Sequence, residues 1–186
     1  RSGQHVYNIG LFASQLAHNG EDATKAWLTG LKGNLARKPE GNDRAQAKAI
    51  FEGICDLGVS NTYYMGLMLT NEKKPEQKDW AAAVKVIYPD QAGKGSHVNV
   101  AGVALIKSGP NADNAKKFIE FLASEEGQKL YAERVFEFPV NPDVAVSDVV
   151  KSFTPEGVKI DDITMDDVAA NRKRVSELVD EVGYNN

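Results

Sequence analysis

The chain has 186 residues, enough for one substantial core or two small ones, and its 42% hydrophobic and 26% charged content is that of an ordinary globular protein. Its formal net charge of −4 argues against a nucleic-acid partner, because phosphate-binding surfaces need concentrated basic charge. No apolar run approaches the length of a membrane span, and the single cysteine, Cys55, excludes an intrachain disulfide.

The first part of the chain predicts two short helices that pack as a pair. Apolar residues recur at helical spacing over residues 5–17 and again over residues 21–31. The pair Asn19-Gly20 supplies the stop between the two helices. A third helix, which Asn42 or Asp43 caps, is predicted to run to about Glu52.

Two adjacent tyrosines, Tyr63 and Tyr64, follow a predicted strand at residues 55–60 and open a predicted helix. Neighbouring side chains of a strand point to opposite faces, so two successive tyrosines meet only if the backbone turns there. A strand-to-helix junction also presents free N–H groups and the positive end of a helix dipole, which favour a phenolate. Two phenolates suit a hard, highly charged cation, although tyrosine is also a common core and interface residue.

The second half of the chain alternates predicted strands and helices. After a polar run at residues 73–79, interpreted as a surface loop, strands are predicted at residues 84–88 and 97–106. A long helix follows at residues 111–133, which Gly127 interrupts. Its predicted buried stripe consists of Phe118, Phe121, Leu122 and Leu130.

The residues from Thr164 to Asp167 form a predicted capping box for a last helix. The side chains predicted to face inward from that helix are Val168, Val175, Leu178, Val179 and Val182. Strands separated by helices indicate an α/β fold with a largely parallel sheet.

Five passages, spread over the whole chain in the same order, resemble one family. They are Arg1-Ser2-Gly3-Gln4-His5-Val6-Tyr7-Asn8, Gly41-Asn42-Asp43-Arg44-Ala45-Gln46, Asn61-Thr62-Tyr63-Tyr64, His97-Val98-Asn99-Val100-Ala101-Gly102-Val103 and Phe138-Pro139-Val140-Asn141. The chain resembles the periplasmic ferric-iron-binding proteins of ABC iron uptake systems. That resemblance implies a type II, transferrin-like periplasmic-binding-protein fold, with mostly parallel sheets flanked by helices.

The resemblance implies Fe(III) as the bound metal. By analogy with the family, Tyr63 and Tyr64 supply two phenolate ligands, and Tyr7 corresponds to a third tyrosine ligand of one subgroup. A helix residue packed beneath a cleft is the alternative interpretation of Tyr7, because a single aromatic at helical spacing is usually a core residue.

The resemblance also implies a synergistic carbonate or phosphate, which some members hold at the turn that corresponds to Ser2, Gly3 and Gln4. Such a site is physically reasonable because free N–H groups at the start of a helix bind anions. An ordinary N-cap role for Ser2 is an equally good interpretation. Asn61 either orients the anion or ends the strand.

The three histidines are interpreted as structural or surface residues rather than ligands. On a helix, His5 and Tyr7 would point in different directions because one residue separates them. His18 lies beside a helix stop, and His97 opens a strand.

By resemblance, the chain is the C-terminal portion of a two-lobe protein. Residues 1–88 and 142–186 would belong to the second lobe, and residues 89–141 would return to the first. We expect a missing N-terminal lobe segment or a complementary chain to complete the fold. The implied partner is an ABC transporter permease, the implied location is the periplasm, and no catalytic residues are assigned.

Two other functions stay open. One is a type II receptor for an anion or small organic solute that uses Ser2, Gly3 and Asn61 without metal. The other is an α/β hydrolase that acts through Ser2 or His97, for which the sequence offers no evident base and orienting acid.

Overall fold

The regular secondary structure of the chain is almost entirely helical in a computed structural model, which describes residues 1–186. None of the helices combines the length with the apolar character that a membrane crossing requires. The α-helices are α1 (Val6–Gly33), α2 (Asp43–Phe51), α3 (Tyr63–Leu69), α4 (Glu76–Ala82), α5 (Ala112–Ala123), α6 (Glu125–Leu130), α7 (Asp148–Lys151) and α8 (Met165–Glu181), and a π-helix (Tyr131–Val135) follows α6.

The helices divide between two compact units, each assembled from separate stretches of chain. Unit 1 comprises Arg1–Val59, Ile87–Asn99 and Gly157–Asn186, and it contains α1, α2 and α8. Unit 2 comprises Ser60–Val86 and Val100–Glu156, and it contains α3 to α7. The assignment of residues 1–88, 89–141 and 142–186 to two lobes of a longer protein stays a prediction.

The core of unit 1 forms between α1 and α8. Phe12 lies at its centre, with its ring edge-on to Trp27 and Tyr184 at centroid distances of 5.6 and 5.7 Å. Four of the five inward-facing residues predicted for α8 are buried, and the fifth, Val182, packs against the core. The buried apolar side chains are Ile9, Phe12, Ala13, Leu16, Leu28, Val168, Val175, Leu178, Val179 and Tyr184.

A glycine breaks α1 where the sequence predicted a stop. Gly20 has φ 76° and ψ 176°, a conformation that glycine adopts without steric cost. Helical geometry resumes at once, and the Thr24 hydroxyl donates a 2.7 Å hydrogen bond to the Gly20 carbonyl. The two predicted helices are therefore confirmed as the two arms of α1. The third predicted helix is confirmed as α2, with Asn42 as its N-cap.

The N-cap predicted for the last helix is also confirmed, but the second bond of a capping box is absent, because the Asp167 carboxylate contacts the Thr164 hydroxyl and not the Thr164 N–H. Thr164 is the N-cap of α8, and its hydroxyl oxygen accepts a 3.1 Å hydrogen bond from the Asp167 N–H. The same hydroxyl donates to the Asp167 carboxylate over 2.6 Å. The Thr164 hydroxyl thus satisfies one of the N–H groups that the first turn of a helix leaves without an intrahelical partner.

Thr164→Ala is expected to lower the free energy of unfolding by about 1 kcal/mol, the usual cost of losing an N-cap side chain. Urea denaturation measures this change. Thr29→Ala is the matched control, because the exposed Thr29 hydroxyl only donates to the Lys25 carbonyl within α1. A Thr164 variant as stable as the control would contradict the capping role.

The predicted strands do not form a sheet within residues 1–186. Residues 55–60, 84–88 and 97–106 carry no regular secondary structure, and the one β-bridge joins Ser96 to Ile160 in parallel. A strand needs a neighbour to pair its N–H and C=O groups, and these segments find none in the chain. Apolar side chains predicted for a buried sheet are consequently exposed, among them Leu57 at 77% and Ile106 at 70%.

Two predictions for unit 2 helices are also wrong. The polar run at residues 73–79 is not all loop, because Pro75 is the N-cap of α4. The long helix at residues 111–133 is interrupted at Ser124 rather than Gly127, since Ser124 ends α5 and caps α6. Its predicted buried stripe is uncovered: α5 has no buried residue, and Phe118 is 58% exposed.

Candidate metal centre

The two adjacent tyrosines lie together at the start of α3, in unit 2. Tyr63 is the first residue of the helix, and its ring stacks on that of Tyr64 at a centroid distance of 4.3 Å and an interplanar angle of 30°. Both residues are half-buried. Two phenols of the same short segment are thus held side by side, the arrangement that the sequence predicted for this junction.

Asn61 leads into this helix. Its backbone carbonyl accepts a 3.2 Å hydrogen bond from the Tyr64 N–H, and the Ser60 hydroxyl donates to the same oxygen. The N-cap, Thr62, makes no side-chain capping bond. The backbone of Asn61 therefore helps to close the first turn, and a role of its side chain toward an anion stays a prediction.

A close contact that sequence reasoning missed fixes α3 from one side. Gly66 is buried one turn after Tyr63, and a Cβ atom added there would lie only 2.3 Å from the Phe136 Cγ. Phe136 follows the π-helix and has a left-handed backbone, with φ 61° and ψ 31°. Such a conformation is costly for a bulky residue and persists where the surroundings impose it. The only signal in the sequence is a glycine inside an apolar helix.

Tyr7, the third predicted ligand, belongs to unit 1, where it is the second residue of α1. Its ring lies beside the His5 ring, with centroids 5.0 Å apart. The expectation that His5 and Tyr7 diverge is wrong, because His5 is the extended N-cap of α1 and not a helical residue. The His5 Nδ1 atom accepts a hydrogen bond from the Tyr7 N–H, so a neutral His5 ring carries its proton on Nε2.

Charge around this helix start is unfavourable for a protonated His5. Burial lowers the pKa of His5, and the neighbouring Arg1 guanidinium lowers it further. Both effects favour the neutral ring, and that neutral ring is the form whose Nδ1 can cap α1.

The predicted anion-binding donors also lie in unit 1, and an amide oxygen already engages them. The Gly3 N–H donates to the Asn185 Oδ1 over 2.8 Å, and the Ser2 hydroxyl donates to the same atom over 3.2 Å. Ser2 is not the N-cap of α1, since His5 has that position, so the ordinary serine cap is not what the structure contains. The two donors converge on one oxygen atom.

Gln4 makes a different set of contacts. Its side-chain amide donates to the Ser176 carbonyl and to the Asp180 carboxylate, each over 2.9 Å, and its oxygen accepts from the Ser176 hydroxyl. All three contacts join the start of α1 to α8. The Gln4 backbone N–H donates to the Ser2 hydroxyl oxygen over 3.2 Å.

The other two histidines serve packing and hydrogen bonding in unit 1. His18 contacts the buried Asp161 carboxylate through Nε2 at 2.9 Å, and the Lys94 amine lies 3.0 Å from its Nδ1. Burial lowers the pKa of His97, whose ring lies against Gly10 of α1. These contacts agree with the structural interpretation of both residues.

The comparison with known families decides where the chain belongs. Residues 4–129 match the model of the bacterial extracellular solute-binding proteins. The chain is a member of this family. The solute-binding protein is also homologous to iron uptake and ferric-binding proteins, so the predicted resemblance is confirmed.

Three relatives illustrate how close the homology is. Iron uptake protein A1 of Synechocystis is 41% identical over 99% of this chain and 50% of its own length. The apo ferric ion-binding protein A of Pasteurella haemolytica is 46% identical, with a TM-score of 0.94 over 100% of this chain and 57% of its own. A Trichodesmium protein (IdiA, FutA), solved with iron and citrate, is 37% identical. Its TM-score is 0.91, and the match covers 99% of this chain and 57% of the Trichodesmium chain. The chain spans about half the length of these relatives.

Proposed function

We propose that this solute-binding protein captures Fe(III) through tyrosine phenolates in a cleft between two lobes and delivers it to an ABC transporter. The observation that carries the proposal is the stacked pair Tyr63 and Tyr64 at the first turn of α3. Tyr7 would supply the third phenolate. A trivalent ion is the largest charge in any site it enters, and it should displace the protons of phenols that bind it.

The names of the relatives support this choice of metal. They include ferric-binding proteins from several bacteria, and the Trichodesmium structure contains iron and citrate. Phenolate oxygens are hard donors, so they bind a hard trivalent ion better than they bind a soft metal.

A synergistic anion such as carbonate or phosphate would bind at the donors of Ser2 and Gly3. These donors converge on one oxygen, that of Asn185, and this arrangement supports an oxygen-acceptor site at the turn. Asn61 would orient the same anion. The Gln4 side chain contacts α8, so Gln4 would bind the anion through its backbone.

Completion of the fold by a further segment or a complementary chain is part of the proposal. The segments predicted as strands expose apolar side chains such as Val59, Ile87 and Val103, and exposed apolar surface of this kind favours a partner that covers it. The relatives have about twice the length of this chain, enough to supply such a partner. A periplasmic location and an ABC permease as partner fit a family of extracellular solute-binding proteins.

Iron titration of the full-length protein tests the proposed function. Addition of Fe(III), with and without carbonate or phosphate, is expected to produce a visible phenolate-to-iron charge-transfer band that saturates at one iron per protein. A protein that stays colourless and binds the anion alone would instead support the metal-free receptor. The hydrolase alternative has little support, because the Ser2 hydroxyl donates to an amide oxygen, which is not a general base.

Iron affinity is expected to fall as the pH falls. Phenols must lose their protons to bind the metal, so binding releases protons and acid opposes it. Competition with citrate at several pH values, monitored by the charge-transfer band, measures the effect. An apparent affinity that does not change between neutral and mildly acidic pH would contradict phenolate ligation.

A further inference from the structure

A buried carboxylate lies close to the start of α1. Asp43 is only 1% exposed, and the turn that precedes it is built to place it there. Gly41 has φ +67°, and a Cβ atom at this position would lie 2.7 Å from the Ala45 side chain. Asn42 then caps α2 by accepting a hydrogen bond from the Ala45 N–H. A carboxylate buried to this degree needs a charged or hydrogen-bonding partner.

Arg1 is a partner of this carboxylate, and it also contacts Tyr7. Its Nη1 atom lies 2.5 Å from the Asp43 Oδ2, and its side chain is 15% exposed. The guanidinium carbon lies over the Tyr7 ring at 5.8 Å from the centroid, within the range of a cation–π contact. The side-chain amide of Asn8 donates a 3.3 Å hydrogen bond to the Arg1 carbonyl.

The planar guanidinium thus connects a fixed anion to an aromatic ring. Arginine suits this role because it stacks on rings and stays charged in a partly buried setting. With His5 beside it, the Tyr7 ring has a cation and an imidazole as neighbours within 6 Å. Neither contact involves the core between α1 and α8.

We propose that Arg1 and Asp43 are positioning residues for Tyr7: Asp43 fixes the Arg1 guanidinium, and Arg1 fixes the orientation of the Tyr7 ring for iron capture. This inference rests on the proposed function, because it presupposes that Tyr7 binds iron. It gives a role to the Gly41-Asn42-Asp43 passage, to which the proposed function assigns no ligand.

A purely structural ion pair would behave differently when both charges are removed. Changing one partner leaves an uncompensated charge, which destabilises any buried pair. The double variant Arg1→Gln with Asp43→Asn leaves no such charge. A structural pair would then allow normal iron binding, whereas a positioning pair would leave the Tyr7 ring unsupported.

The test uses the full-length protein with ¹³C-labelled tyrosine, with Tyr7→Phe to assign the Tyr7 signal. In the metal-free protein, Arg1→Gln and the double variant are expected to shift the Tyr7 ring signals and to leave those of Tyr63 and Tyr64 in place. In citrate competition, both variants are expected to bind Fe(III) on the order of threefold to tenfold more weakly, the range of a cation–π contact. Arg1→Lys, which keeps the charge, should recover part of the loss.

Arg174→Gln is the control, because it removes another arginine of unit 1, one that forms salt bridges with Glu21, Glu177 and Glu181. It is expected to change neither readout. Tyr7 signals that stay in place in the double variant, or an iron affinity equal to that of the unaltered protein, would overturn the positioning role. If the unaltered protein shows no charge-transfer band, the proposed function fails and the inference fails with it. The NMR measurement still reports separately whether the contact with Tyr7 exists.

Discussion

Tyr63→Phe and Tyr64→Phe are each expected to weaken Fe(III) binding by more than about 100-fold. Loss of an outer-shell partner already costs roughly 10–100-fold in metal affinity, and these variants remove a proposed ligand atom. The rings themselves remain, so the stacked pair and the packing of α3 should persist. Citrate competition measures the affinity, and the visible charge-transfer band should weaken or disappear at the same time.

Tyr131→Phe is the matched control for the tyrosine variants. It makes the same chemical change in the same unit, at a position in the π-helix that is not proposed as a ligand. Iron affinity should be unchanged in this variant. If the Tyr63 and Tyr64 variants both bind Fe(III) as tightly as the unaltered protein, the proposed function loses its basis. The tyrosine pair is the geometric observation on which the choice of Fe(III) depends.

Gly66→Ala is expected to lower the free energy of unfolding by about 1–3 kcal/mol, the usual cost of overpacking a well-filled interior. The added methyl group would meet the Phe136 ring at 2.3 to 2.7 Å, far inside van der Waals contact. Phe136 has little freedom to move, since it is 6% exposed and its backbone is left-handed. Relief therefore requires a shift of α3, so we expect iron affinity to fall together with stability.

Gly30→Ala provides the control for this substitution. Gly30 lies in α1 with nothing within 4 Å of an added Cβ, so alanine should stabilise the helix by roughly 0.5–1 kcal/mol. Urea denaturation of both variants measures the contrast. In a Phe136→Ala background, which lacks the Cγ and Cδ2 atoms that the added methyl group would meet, Gly66→Ala should cost less stability than in the unaltered protein. Equal stability of the Gly66 and Gly30 variants would show that the contact does not constrain α3.

The helices could be predicted because their signals are local. Asn42 and Thr164 cap helices through bonds to N–H groups three residues away, and Gly20 breaks α1 through its own backbone angles. Each of these effects is complete within about one turn of chain. The burial of Val175, Leu178 and Val179 followed from helical periodicity in the same way.

The sheet could not be predicted from the same kind of signal. An apolar run such as residues 97–106 has strand character only if another segment pairs with it, and pairing is a property of distant residues. The prediction of a buried apolar stripe on α5 was wrong for the same reason. The helical periodicity was correct, but nothing in residues 1–186 covers Phe118.

The candidate site was predictable in part. The pairing of Tyr63 with Tyr64 follows from their adjacency at a helix start, and the structure brings their rings together. The contacts around Tyr7 depend on residues far apart in sequence, such as Asp43, and on His5 being a cap rather than a helical residue. Spacing rules for helices do not apply to a residue just outside the helix.

The packing of α1 against α8 has a consequence for synthesis on the ribosome. The apolar face of α1 is synthesised before α8, the helix that covers it, because residues 34–164 lie between the two helices. At the usual rate of roughly 5–20 residues per second, Phe12 and Leu16 stay uncovered for several seconds before α8 emerges. A nascent chain in this condition is a natural client for chaperones, and unit 1 acquires its hydrophobic centre only after α8 has been synthesised.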